Sequence, residues 1–266
     1  MSTTMRVAAW QCQPGPLDVA GNLRRLDEIC ATAAARQVEV LVTPEMFTSG
    51  YGLAPDQVAK LAESPGGPTE TAVAQIARRH RLAIVFGHPE RAAVDGVGEN
   101  RPYNAATLVG PDGAVRGRHR KVHLFGDVDR SLFAQNPARP AAFDFGGIQV
   151  GVLICYDVEF PEAVRRLALD GARTVLVPTA NMAGFEVVQQ VLVRARACEN
   201  GCGLVYANYC GADGLFEYNG LSVICGPDGE VLAQAGPDGE ELIVADLPGE
   251  SAGTYLADRR ADLYSN

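Results

Sequence analysis

The stretch GVLICYDVEFPE, residues 151–162, carries the key to the chain. Residues 151–154 are apolar or small, as in a strand covered on both faces. Cys155 stands where that run ends. The chain then turns polar, and Phe160-Pro161-Glu162 has the make-up of a helix start, with proline at the first helical position. A strand feeding a helix belongs to an α/β chain, and in such folds ligands collect at the carboxyl ends of strands. Cys155 is therefore either a small core hydrophobe, the commonest fate of a free cysteine, or a nucleophile presented at a strand end.

The same grammar recurs on both sides. Strands are expected over 5–12, VEVLVTPE (38–45), LAIVFGHPE (82–90), GIQVGVLIC (147–155), TVLVPTA (174–180) and GLVYANYC (203–210). Apolar spacing predicts helices over 18–36, with Asp18 as N-cap, and over 69–81, 161–170 and 185–200. The strand runs are continuously apolar, so each is covered on both faces by helices, or on one face by helices and on the other by a second sheet. YNAATLVGPDGAV (103–115) reads as strand, turn, strand, and NGLSVICGPDGEV (219–231) echoes it. The echo is either a weak internal duplication, two similar α/β halves in one domain, or a coincidence of common hairpin turns. SPGGPT (64–69) is a loop and nothing reads as a linker, so residues 1–266 form a single domain. The polar segment 249–266 is expected to be a tail that packs on a subunit interface.

Composition excludes several classes. The chain has 266 residues, 47% of them hydrophobic, and a net charge of −9. That acidity argues against general nucleic-acid binding. The short basic run Arg116–Lys121 reads as a solvated hairpin edge. No apolar run is long enough for a membrane span, and the N-terminus lacks the pattern of a signal peptide. Seven cysteines without a CxxC pair point to reduced thiols in a cytoplasmic protein. Cys198 and Cys202 are one helical turn apart, but no second pair or histidine completes a site, so no metal or other cofactor is expected.

Three polar residues stand beside strands: Glu45, Lys121 and Cys155. Taken singly, each has a bland reading as a loop acid, a hairpin cation or a core thiol. Together they make chemical sense. A thiol is mostly protonated at neutral pH. A carboxylate can take its proton, and an ammonium can stabilise an oxyanion on the substrate. The free N–H groups of a strand-to-helix turn can help. Acyl transfer then needs no histidine.

TPEMFTSGY (43–51), HRKVHLFGD (119–127) and GVLICYDVEFPE, in this order and at this separation, resemble the three signature segments of the nitrilase superfamily, the carbon–nitrogen hydrolases. YNAATLVGPDG, LVPTANMAG, VRARACENG and NGLSVICGPDG extend the resemblance over nearly the whole chain. It implies an α/β fold, a four-layer α-β-β-α sandwich with two mixed sheets packed face to face, and homodimers that extend it. It also implies roles: Glu45 as general base, Lys121 and the Tyr156 backbone N–H as oxyanion donors, Cys155 as the nucleophile that carries a thioester. Many members have a second glutamate after the lysine. Here KVHLFGDVDRSLF (121–133) has none, and Asp129 aligns best, then Asp127. Being a methylene shorter, Asp129 must bring its backbone closer or act through water.

Nitrile-cleaving members typically follow the cysteine with Trp-Glu, whereas Tyr156-Asp157 resembles the amidase branch. N-carbamoyl hydrolases tend to place arginine soon after the cysteine; here stand Val158 and Glu159. Glu159 would repel a substrate carboxylate and favour a neutral or amine-bearing one, or else it pairs with an arginine as support. The expected substrate is a small aliphatic or amino-acid-type amide, with Tyr51, Phe125, Glu159, Asn181, Met182 and Phe185 lining its pocket. The alternatives are nitrile or carbamoyl hydrolysis on the same set, a Cys–His hydrolase using His123, and a redox or binding protein with an inert Cys155.

Overall fold

The computed structural model describes residues 4–91, 101–249 and 254–263. One sheet contains β1 (Thr4–Gln11), β2 (Val40–Val42), β3 (Ala83–Glu90), β4 (Tyr103–Val109), β5 (Val115–Arg120) and β14 (Glu241–Pro248), in the order β14-β1-β2-β3-β4-β5. The other contains β6 (Ala142–Phe145), β7 (Ile148–Val152), β8 (Thr174–Pro178), β9 (Gly203–Ala207), β12 (Val223–Cys225) and β13 (Val231–Gln234), in the order β13-β12-β9-β8-β7-β6. A small ribbon pairs β10 (Cys210–Ala212) with β11 (Glu217–Asn219).

The continuous apolar strands find their reason in the layering. Val7, Ala9, Val40, Val42 and Val85 of the first sheet meet Val150, Val152, Leu176, Val205 and Ile224 of the second in one apolar core. The alternate residues Ala8, Leu41, Ile84 and Phe86 pack against Leu26 and Cys30 of α1 (Val19–Ala35), Val58 of α2 (Pro55–Leu61), and Val73 and Ala77 of α3 (Pro68–His80). On the far side, Val175, Val177, Leu204 and Tyr206 pack against Val164 and Leu167 of α5 (Pro161–Leu169) and Ala197 of α6 (Val193–Asn200). The result is the four-layer α-β-β-α sandwich. Asp18 caps α1, its carboxylate accepting from Gly21 N at 2.8 Å.

The two halves repeat one plan. Read from β14, the first sheet pairs antiparallel, parallel, parallel, antiparallel, antiparallel; read from β6, the second does the same. The hairpins β4–β5 and β12–β13 occupy equivalent places, and each is bulged near its turn. The Gly-Pro-Asp-Gly echo thus marks a real structural repeat, in which the strand equivalent to β6 comes from the chain's other end; Asn104 lies on β4, whereas Asn219 ends β11.

Some boundaries differ from expectation. β2 stops at Val42 because Pro44 cannot continue a central ladder. Residues 185–200 begin with a single wide helical turn, Val188–Leu192, before α6. β6 and β14 escape the apolar pattern because each is only partly covered. The basic run does form an edge strand, but only Arg116 is exposed. Arg118 and Arg120 turn onto Glu70 and Glu90, at 2.6 and 2.5 Å. Of the closing segment, residues 250–253 and 264–266 lie outside the described residues. Its short helix α7 (Thr254–Ala257) lies beside α6 of the same chain.

Candidate active site

The carboxyl ends of the two sheets meet. The Glu45 segment follows β2, and its backbone N–H donates to Thr179 O, beyond β8 of the other sheet, at 3.2 Å. Gly87 on β3 permits the close passage of that segment: a Cβ there would lie 2.4 Å from Met46 N and 2.7 Å from Pro44 O. Lys121 follows β5, its N–H donating to Asn104 O on β4 at 2.8 Å. Cys155 follows β7 at the start of a short 3₁₀ turn, Cys155–Glu159. Its φ of +46° is a left-handed conformation that non-glycine residues rarely adopt.

A buried ionic cluster forms where these ends converge. Lys121 Nζ lies 2.7 Å from Glu45 Oε1 and 2.6 Å from Asp129 Oδ2. All three side chains are shut off from solvent. Asn104 Nδ2 donates to Glu45 Oε1 at 2.7 Å. Tyr51 OH and Phe125 N–H donate to Asp129 at 2.8 and 2.9 Å. Asp129 thus reaches the lysine directly, without a bridging water. Asp129 lies in the short helix α4 (Gly126–Leu132), which carries its carboxylate within direct reach of Lys121.

Two carboxylates share one ammonium, and the titrations follow. Burial, with the Asp129 charge adding to it, raises the Glu45 pKa above the usual glutamate value, against the pull of Lys121. Burial opposes the charge on Lys121, yet the carboxylates of Asp129 and Glu45 hold its pKa well above the ordinary value. Burial and then the Glu45 carboxylate push the Cys155 thiol up; Lys121, the Thr179 hydroxyl and the Ala180 backbone only partly offset them. The resting sulfur keeps its proton, so a base must remove it as attack begins. Glu45 Oε2 is buried and has no hydrogen-bond partner among the described residues, which leaves one oxygen free for that proton. Among the described residues no group of histidine, cysteine and acidic side chains could hold a metal ion.

The other expected residues divide. Phe125 stands edge-on to Tyr156 and Phe185, with ring centroids 5.3 and 5.7 Å apart, and Tyr156 meets Phe160 at 5.0 Å. The Tyr51 ring lies 5.9 Å from Lys121 Nζ. The Glu159 carboxyl is half-buried and raised by that burial, and the charges of Lys121 and Arg196 act on it. Arg196 does not pair with this carboxylate; it donates to the backbone carbonyls of Val158 and Glu159, at 3.2 and 2.7 Å. Met182 is half-buried, beside Tyr218 in a β-bridge. The Asn181 amide turns away into a polar net, donating to Phe185 O and Gln189 Oε1 at 3.0 and 2.9 Å. His123 is not on a strand with Lys121: β5 ends at Arg120 and the chain bends. Its ring lies flat on Phe160 and meets Asp157 Oδ1 at 2.9 Å.

Sequence reasoning gave no site role to Asn104, Thr179 or the buried amides Gln189, Asn208 and Asn219, and read Asp157 only as a mark of the amidase branch. The internal echo held a signal for two of them. Asn104 reaches Glu45, and Asn219, its counterpart in the sequence echo, accepts from Gln189 and Asn208 at 2.7 and 2.8 Å.

Known proteins carry the same plan. A family model described as carbon-nitrogen hydrolase matches residues 6–255. A protein called "Hydrolase in pqqF 5'region", from Pseudomonas protegens, is 47% identical over 99% of this chain and 92% of its own length. An (R)-stereoselective amidase from a Pseudomonas species is 37% identical over 91% of this chain and 87% of its own. The structure of the NitN amidase from Nesterenkonia sp. AN1 superposes with a TM-score of 0.87 at 37% identity, covering 98% of each chain. In a structure of a variant of that amidase, with a TM-score of 0.84 at 35% identity over 98% of this chain and 95% of that one, the acetamide moiety of fluoroacetamide is covalently added at the active-site cysteine. The match over almost the whole sequence, together with the shared sandwich, shows that this chain belongs to the carbon–nitrogen hydrolase family.

Proposed function

We propose that the protein hydrolyses a small primary amide, aliphatic or amino-acid-type, to a carboxylic acid and ammonia through a thioester on Cys155. The observation that carries this reading is the buried Glu45–Lys121–Asp129 cluster, whose Glu45 and Lys121 charges act on the Cys155 thiol. Glu45 takes the thiol proton as Sγ attacks the amide carbon. Lys121 and the Tyr156 backbone N–H stabilise the oxyanion. The C–N bond breaks, the nitrogen leaves as ammonia with the proton held by Glu45, and the acyl group stays on sulfur. Glu45 then takes a proton from water as the water attacks the thioester. The acid departs, and the proton returns to the thiol.

Asp129 and Tyr51 hold Lys121 in place. Tyr156, Phe125, Met182 and Phe185 give the pocket an apolar, aromatic wall, while Asn181 shapes it through its own loop. Glu159, half-buried and without a hydrogen-bonded partner among the described residues, favours a neutral or amine-bearing acyl group over an acidic one. Phe185, Val187 and Val191 expose apolar surface within one short segment, which supports a homodimer. The seven cysteines, all free, fit a reducing cytoplasm.

The test is ammonia release from a panel of small amides, nitriles and N-carbamoyl compounds. Release from amides well above the other two classes is expected. Faster turnover of nitriles or carbamoyl compounds would overturn the substrate reading.

A further inference from the structure

Cys155 and Lys121 come from different sheets, so something must fix their separation. Asp157, fully buried two residues past the nucleophile, touches both segments. Its Oδ2 accepts from Ile154 N, immediately before Cys155, at 3.2 Å. Its Oδ1 accepts from Val122 N at 3.2 Å and His123 N at 2.8 Å, immediately after Lys121. Two imidazoles complete the shell: His119 Nε2 at 2.8 Å from Oδ2, and His123 Nδ1 at 2.9 Å from Oδ1.

We infer that Asp157 is a positioning residue which sets the Lys121–Cys155 geometry by binding the backbone on both sides of the sandwich. The chemistry of the shell asks for a carboxylate. Three backbone N–H groups and two imidazoles point at two oxygens, so both atoms must be acceptors. Asparagine would turn an NH2 toward one set of donors and leave them unpaired. The clamp also accounts for the Cys155 backbone. A nucleophile held at φ +46° persists only where its surroundings over-determine it. Asp157 provides this from within the turn, since its own N–H donates to Ile154 O at 3.0 Å while its side chain takes the Ile154 N–H. His119 and His123 orient the carboxylate rather than the substrate.

This inference rests on the amidase reading for its steady-state arm, and a second arm is independent of it. In Asp157→Asn, kcat on any amide the wild type hydrolyses should fall by about a hundredfold, as expected when reacting groups shift by an ångström. KM should stay within about threefold, because Asp157 does not touch the substrate. The rate of Cys155 alkylation by iodoacetamide, followed by site-resolved mass spectrometry, should fall by about tenfold or more, since the thiol loses its aligned base. His119→Gln, which keeps a donor, should retain most activity, whereas His119→Phe should lose part of kcat. If Asp157→Asn does not fold, the His119 pair carries the test. Wild-type kcat and alkylation rate in folded Asp157→Asn, or equal activity of the two His119 variants, would overturn the clamp. Rapid alkylation without turnover of any amide would overturn the amidase reading and leave the clamp standing.

Discussion

Lys121 and Asp129, eight residues apart, meet through a direct contact of 2.6 Å in a buried site. The same carboxylate adds to the rise in the Glu45 pKa, so it tunes the base as well as holding the cation. Asp129→Asn should remove that charge and lower the Glu45 pKa. The acid limb of the pH–rate profile should move to lower pH, and kcat should drop by about tenfold or more. Tyr51→Phe deletes one hydrogen bond to Asp129 and should cost about 1.5–3 kcal/mol, spread between stability and rate. An unmoved acid limb in Asp129→Asn would show that Asp129 does not act on the base.

Glu45, Lys121 and Cys155 should each be indispensable. Replacement of any one by alanine should reduce amide turnover by at least about a thousandfold. Lys121→Ala strands two buried carboxylates and should also cost about 3–5 kcal/mol of stability, so turnover is compared on material shown to be folded by circular dichroism. His123→Ala should keep substantial activity. Near-full activity in Lys121→Ala together with its loss in His123→Ala would favour a Cys–His mechanism.

Glu159 should select among acyl groups. Glu159→Gln should lower kcat/KM for an amino-acid amide such as alaninamide by about tenfold relative to its neutral analogue propionamide, the scale of one charge-assisted contact. An unchanged ratio would remove Glu159 from the pocket's selectivity.

His88 gives the fold a pH dependence away from the site. Burial, with Arg118 adding to it, lowers its pKa to about 4. Between the ordinary histidine value and that one, the unfolded chain binds the proton and the folded chain does not. Stability is therefore complete above the ordinary value and is lost as pH falls toward 4, by on the order of 2–3 kcal/mol. Melting temperatures from pH 7 to pH 4.5 should fall less steeply in His88→Gln than in the wild type. Parallel slopes would contradict this.

Much of this was legible in the sequence. Apolar runs located the central strands, and polar residues at their ends located Glu45, Lys121 and Cys155. Other features were not legible, for physical reasons. Partly covered strands such as β6 and β14 lack a continuous apolar run. The bend after Arg120 that turns His123 toward Asp157 depends on a carboxylate thirty-four positions away. Asn181 is expected from the sequence to line the pocket, yet its amide serves the loop that carries Phe185. Asp157 looked like a family marker after the cysteine; its shell of five donors exists only once the two sheets meet.

The most direct test of the central claim is intact-protein and peptide mass spectrometry during turnover of a small amide. An acyl adduct on Cys155, formed as ammonia is released and absent from Cys155→Ala together with all turnover, is the predicted result. Ammonia release that persists in Cys155→Ala, or an adduct confined to another residue, would contradict it.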